Sequence, residues 1–368
     1  MSKKLRVGIL FGGKSAEHEA SLQSAKNIIA AIDRDRYDIL LIGIDKEGRW
    51  QIGDSSRPIL NPDNPEIISL GRGDNYLALI PGQCDGNLVR VGSQEPVEAV
   101  DVVFPVLHGP FGEDGTVQGF LKLAGIPFVG SSVLGSAVGM DKDVMKRLLR
   151  EEGIPVCNFK TVYAHERGQL IYEQIQTYFG VPFFIKPANL GSSVGVYKVH
   201  NADEFTSALY NAFQFDNKVL IEEFVEGREI ECAVLGNENP LASVPGEVLP
   251  SHEFYSYEAK YLDENGAVLD IPANLSEETV HKVKELSIRA FKAICCEGMA
   301  RVDCFLKNDG TVLVNELNTI PGFTSISMYP KLWEASGIPY KNLIDRLIEL
   351  ALKRHVEERK LRTSYELV

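Results

Sequence analysis

The sequence predicts an α/β protein, and three stretches carry that prediction. Apolar strand patterns at Leu5 to Phe11, Asp38 to Ile44 and Val100 to Leu107 enclose a helical pattern at Ser21 to Ile32. Such alternation implies an open, mostly parallel sheet that binds ligands at the carboxyl ends of its strands. Phe183 to Ala188 reads as a strand running into the glycine- and serine-rich loop Asn189 to Val196. Arg301 to Asn318 reads as two strands around Asn308-Asp309-Gly310, because Asp-Gly between β-rich runs is a hairpin signal.

At 368 residues the chain is long for one core, so two or three domains are expected. Its 44% hydrophobic and 24% charged residues are those of an ordinary globular protein. A net charge of -13 argues against nucleic acid as a partner but not against a small anionic ligand. The six cysteines form no C-x-x-C pair and have no histidine cluster beside them. Zinc is therefore not expected, and reduced thiols in the cytoplasm are. No apolar run approaches a membrane span, and Val7 to Phe11 is too short for a signal-peptide core.

Along the chain, the first strand opens into a loop from Gly12 to His18. Ser21 is the expected N-cap of the helix that buries Leu22, Ala25, Ile28, Ile29 and Ile32. Gly8 to Ser15 matches the G-x-x-x-x-G-K-S phosphate loop, but the apolar run continues past Gly8 through Phe11, and Glu17 and Glu19 follow at once. A phosphate loop starts where its strand stops, so the match is read as accidental. Residues 45–98 are turn-rich and polar and suggest no chemistry. The third strand ends in His108-Gly109-Pro110-Phe111-Gly112-Glu113-Asp114-Gly115. Ser136 to Glu152 is expected to be one basic amphipathic helix containing Lys142. Lys218 to Val225 and Gly227 to Val234 read as strands, the first ending in carboxylates and an aromatic ring that suit an adenine and its sugar. Tyr255, Tyr257, Lys260 and Tyr261 lie in an aromatic, basic loop. Asn342 to Arg354 is a packing helix.

The hairpin holds the chemistry. If Asp309-Gly310 is a two-residue turn, Asp303 falls opposite Glu316 and Arg301 opposite Asn318. A three-residue loop slips the register by one and sends the carboxylates to opposite faces. In the first register, hard oxygen ligands suited to Mg²⁺ share a face with an arginine able to stabilise developing charge. A solvated polar hairpin is the competing reading. The turn from Thr319 to Ser325 that follows is rich in small residues and backbone donors. Lys186 with the loop after it offers the N–H groups, hydroxyls and cation that ATP phosphates require.

These pieces together resemble the D-alanine–D-alanine ligases of the ATP-grasp superfamily. The resemblance rests on Gly12 to Glu19, His108 to Gly115, Lys186 to Gly195, Glu258 to Tyr261, Arg301 to Asp303 and Glu316 to Gly322, in the family's order across nearly the whole chain. Ala20 and Glu223 depart from common family residues. The resemblance implies an ATP-grasp fold, α+β in its ATP-grasp domains, behind an N-terminal Rossmann-like domain. Three domains follow from it: 1–135, 136–226 and 227–368, the last carrying the metal site.

The implied reaction joins two D-alanines through an acyl phosphate, using ATP, for peptidoglycan precursor synthesis. D-lactate or D-serine as acceptor, or a non-catalytic nucleotide-binding protein of the same fold, are the alternatives. Glu17 would pair with the first substrate's ammonium and join Ser192 and Tyr261 in a closing network. Lys142, Lys186, Ser192 and Ser193 would hold phosphates, and Glu222, Phe224, Val225 and Glu229 the adenine and ribose. Arg301 and the Gly322 amide would stabilise an oxyanion. Lys260, Ser327 and Met328 would take the second substrate, with His108 beside it as a possible base. Asp303, Glu316 and Asn318 would bind two Mg²⁺ ions, with Mn²⁺ able to substitute. The remaining expectations are a homodimer with no nucleic-acid or membrane partner.

Overall fold

The computed structural model describes residues 4–52, 59–64, 68–71, 76–81, 88–92, 97, 99–250, 267–362 and 364. Tyr255, Tyr257, Glu258, Lys260, Tyr261 and Cys84 lie outside the described residues.

Three sheets of at least four strands form the frame. In the first, Leu5–Gly12 pairs in parallel with Tyr37–Ile44 and Val102–Val106, and Trp50–Ile52 adds an antiparallel edge. Val7, Ile9 and Phe11 pack on one face of the central strand and Leu10 on the other. A strand buried on both sides needs the unbroken apolar run seen in the sequence. That strand runs through Gly8 to Gly12, which excludes a phosphate loop there.

The second sheet is antiparallel, in the order Tyr197–Val199, Phe183–Pro187, Lys218–Glu223, Phe159–Tyr163. The third orders Ala267–Asp270, Gly246–Pro250, Arg228–Gly236, Gly298–Leu306 and Val312–Asn318, all antiparallel neighbours. The helix Tyr340–Glu358 buries Leu343, Ile344, Leu347, Ile348 and Ala351 in the same core as Val7, Ile9 and Phe11. Arg354 fastens it by donating to the carbonyls of Gly130 at 2.6 Å and Phe128 at 2.7 Å. The two ends of the chain thus share one core.

Two local expectations are corrected. The first helix spans His18–Ala31, with Glu17 rather than Ser21 at its cap position. Ser21 is fully buried, accepting the Gly12 N–H at 2.7 Å and donating to the Val106 carbonyl, so its hydroxyl ties helix to sheet. The single helix expected over 136–152 is two, Val133–Met140 and Lys142–Glu151. Asp141 breaks it with φ -86° and ψ 99°, its carboxylate accepting the N–H groups of Asp143 and Val144. Aspartate favours this capping geometry over a helix interior. The break leaves Lys142 at a helix start, its N–H bound to the Ala188 carbonyl at 3.0 Å beside the glycine- and serine-rich loop.

Candidate active site

Asp303 stands opposite Glu316, and Arg301 opposite Asn318, although the turn holds three residues. Lys307 N–H bonds the Thr311 carbonyl at 2.9 Å, so Asn308, Asp309 and Gly310 form the loop. The pairing of Asn308 with Thr311 that a two-residue turn would give is therefore replaced by that of Lys307 with Thr311. The slip this introduces is absorbed between Asp303 and Cys304, where Cys304 pairs with Val314 and Asn315 is the extra residue. A bulge places two residues against one and restores the alternation beyond it.

Arg301 donates to both oxygens of Asp303 at 2.7 Å, and Asn318 donates to the same carboxylate at 2.9 Å. Glu231, paired with Asp303 across the neighbouring strand, lies 2.9 Å from the guanidinium. Glu316 lies 3.5 Å from the Lys142 ammonium, which also donates to the Leu190 carbonyl at 2.6 Å. Lys186 sits 2.6 Å from Glu222 and 3.5 Å from Asn315. Glu222 is shared with the wholly buried Lys146 at 3.3 Å, and Cys157 donates to it at 3.3 Å. Burial opposes ionisation of Glu222, but Lys146 and Lys186 outweigh it and hold its pKa below the ordinary value.

Glu17 is buried and accepts the Ser192 hydroxyl, which closes the glycine- and serine-rich loop onto the N-terminal sheet. Ser192 and Ser193 adopt φ of 53° and 60°, the left-handed central pair of a tight turn closed by the Val194 N–H donating to the Gly191 carbonyl at 3.1 Å. Gly109 sits at φ 76°, where any L side chain is strained, and a Cβ there would lie 2.5 Å from the Glu17 carboxylate. A Cβ on Gly322 would meet the Ser327 hydroxyl at 2.7 Å, so these two candidates stand together. Ser327 also accepts the Thr324 N–H at 2.9 Å, and buried Met328 starts the following helix. A small cavity between the glycine- and serine-rich loop, the start of the Lys142 helix and the hairpin is lined by Glu113, Lys142, Gly191, Glu316, Asn318 and Thr319.

At the other end of Glu222, Phe224 is exposed beside Phe184, with Lys198 4.8 Å over its ring. Val225 follows it, and Glu229 lies half-buried in the next strand. His108, the possible base, is tied into the fold. Its Nδ1 lies 3.1 Å from the Ile320 carbonyl and its Nε2 3.1 Å from the Ser24 hydroxyl, so both nitrogens are engaged. Complete burial lowers its pKa to about 4, leaving a neutral ring that donates from Nδ1 and accepts at Nε2.

Glu113, Glu231, Lys146 and Asn315 were not assigned a role from sequence. Glu231 alternates with Glu229 along one strand, and Lys146 lies one helical turn after Lys142, so each had a spacing signal. Asn315 had none, because its placement depends on the bulge. Among the described residues, no group of three or more His, Cys, Asp or Glu side chains is close enough to hold a metal ion. The donor set of Asp303, Glu316 and Asn318 nonetheless suits a hard divalent cation.

Two family models match the chain: the D-ala D-ala ligase N-terminus over residues 6–131 and the D-ala D-ala ligase C-terminus over residues 148–349. A D-alanine–D-alanine ligase from Oceanobacillus iheyensis is 55% identical over 98% of this chain and 99% of its own. A D-alanine–D-alanine ligase A from Escherichia coli strain K12 is 51% identical over 98% and 100%. The solved D-alanine–D-alanine ligase from Coxiella burnetii superposes with a TM-score of 0.84 at 39% identity, covering 98% of this chain and 97% of that one. A D-Ala:D-Ser ligase from Enterococcus faecalis gives 0.83 at 34% identity, covering 95% and 100%. The chain belongs to the D-alanine–D-alanine ligase family and has its ATP-grasp fold.

Proposed function

We propose that this chain is an ATP-dependent ligase that joins two D-alanines to D-alanyl-D-alanine for peptidoglycan precursor synthesis. One observation carries the reading: Glu17, Lys142, the 190–193 loop and the Asp303–Glu316 pair converge from three parts of the chain. A carboxylate for a substrate ammonium, cations for phosphates and hard oxygens for magnesium belong to one phosphoryl-transfer site.

In the proposed course, Glu17 holds the ammonium of the first D-alanine, and the carboxylate of that D-alanine attacks the γ-phosphate of ATP. Lys142, Lys186 and the amides around Ser192 and Ser193 hold the transferring phosphoryl group and the ADP leaving from it. Asp303, Glu316 and Asn318 would hold two Mg²⁺ or Mn²⁺ ions, which supply charge neutralisation to the phosphates. Glu222, through Lys186, Phe224, Val225 and Glu229 line the adenine and ribose side. The second D-alanine, held by Lys260, Ser327 and Met328, attacks the acyl carbonyl with its deprotonated amine. Arg301 and the Gly322 amide then stabilise the tetrahedral oxyanion. The adduct collapses by breaking the carbon–oxygen bond to release inorganic phosphate, the amine's remaining extra proton passing to solvent or phosphate. Tyr261 completes the closing network with Glu17 and Ser192.

Three domains, 1–135, 136–226 and 227–368, a homodimer and a cytoplasmic location belong to the same reading. Among the described residues, no helix is long and apolar enough to cross a membrane. Sedimentation of the purified chain tests the dimer. The function is tested by ADP release with D-alanine as donor and D-alanine, L-alanine, D-serine or D-lactate as acceptor. Turnover with D-alanine and little with the others is expected, since Tyr261 favours the dipeptide. Preference for D-serine or D-lactate would reassign the acceptor.

A further inference from the structure

We propose that Glu113 is a positioning residue for ligation: together with His108 and Ser24 it clamps the Ile320–Phe323 turn that carries the Gly322 amide. This rests on the oxyanion role proposed for that amide. One Glu113 oxygen accepts the Ile320 N–H at 3.2 Å and the other the Gly109 N–H at 2.7 Å. His108 lies 3.1 Å from the carbonyl of the same Ile320. Ser24, 3.1 Å from the other His108 nitrogen, accepts the Phe323 N–H at 3.2 Å. Both sides of Pro321-Gly322 are therefore held by side chains from the first third of the sequence, and all three are buried. Ile320 is held at its N–H and its carbonyl at once.

The geometry explains why a glutamate stands at 113. Two N–H groups from different elements converge on it, and a carboxylate offers two acceptor oxygens where a glutamine offers one. A buried carboxylate with so few charges to balance it would otherwise be costly. Burial, and the Glu17 carboxylate near it, push the Glu113 pKa up to about 8, while the Gly109 and Ile320 N–H groups pull it back toward the ionised form, so both oxygens accept in full above that pH. The clamp also links the two substrates' surroundings, because Gly109 packs against Glu17 and Gly322 against Ser327. An amide misplaced by a fraction of an ångström loses transition-state stabilisation while ground-state binding survives.

The test is steady-state kinetics of full-length Glu113→Gln and Ser24→Ala beside wild type, with melting temperatures. Each variant is expected to lose about ten- to a hundredfold in kcat while the KM for ATP stays within about twofold. Ser24→Ala decides the matter alone if Glu113→Gln fails to fold. Unchanged kcat in a folded variant, or raised KM values with kcat intact, would overturn the clamp. Absence of D-alanine-dependent ADP release in wild type would instead sink the parent reading, and it shows before any substitution is made.

Discussion

Arg301 grips Asp303, two residues along the same strand, through two bonds of 2.7 Å, and the same guanidinium lies 2.9 Å from Glu231. One cation thus answers two carboxylates on the face that also carries Glu316 and Asn318. Burial works against the charge, yet Asp303 and Glu231 hold the Arg301 pKa well above its ordinary value. Fork geometry and permanent charge make arginine suited to this post, and lysine would not replace it.

Arg301→Ala should therefore alter two properties together. Turnover should fall about a hundred- to a thousandfold, as for loss of one oxyanion donor. The magnesium concentration giving half-maximal rate should also fall, because Asp303 and Glu231 regain their uncompensated charge. Rates measured against magnesium for both proteins check this. An unchanged magnesium dependence would mean that Asp303 is no ligand.

Lys146→Met removes one of the two cations around Glu222 without a large change in volume. Breaking a buried pair in this way should destabilise the protein by about 3 kcal/mol. Glu222 is a carboxyl with a depressed folded-state pKa, so its stabilisation is present above the unfolded value near 4.5 and is lost as pH falls through the folded value. With Lys146 gone the depression shrinks, and acid unfolding should begin at higher pH. Urea melts from pH 7 down to about pH 2.5 measure both effects. An unshifted acid limb would show that Lys186 alone holds Glu222.

His108 supplies a second acid sensitivity of different origin. Its folded pKa lies near 4 against an ordinary 6.5, so the unfolded chain takes up the proton first as pH falls. Stability should drop by about 3 kcal/mol between pH 7 and pH 4 on this account. His108→Gln should be less stable than wild type at pH 7, and the gap should close by that amount at pH 4. A gap that stays constant would contradict the buried neutral ring.

The sequence spoke clearly where one periodicity decided the outcome. The run Val7 to Phe11 reports a strand buried on both faces, and Leu343 to Ala351 reports a helix stripe, because burial alone dictates those patterns. It spoke less clearly where a break serves the site. Asp141 looks like a helix residue until its side chain caps the next helix, and that cap is what brings Lys142 beside the loop. The hairpin shows the limit best. Its carboxylates face each other as a two-residue turn would have them, yet a longer turn and a bulge at Asn315 deliver the arrangement jointly. The resemblance offered His108 as a possible base, and the partners that engage both its nitrogens, Ile320 and Ser24, are too remote in sequence to be seen there.

The central claim is that the Asp303–Glu316 face handles the charge of a transferring phosphoryl group. Glu316→Gln keeps the shape, removes one negative charge and frees Lys142 from its carboxylate partner. The measurement is D-alanine-dependent ADP release by this variant and wild type across a magnesium titration. Metal-borne stabilisation is worth several kcal/mol, so turnover should fall by several powers of ten and half-activation should need more magnesium. A Glu316→Gln enzyme that matches wild type at limiting magnesium would contradict the account.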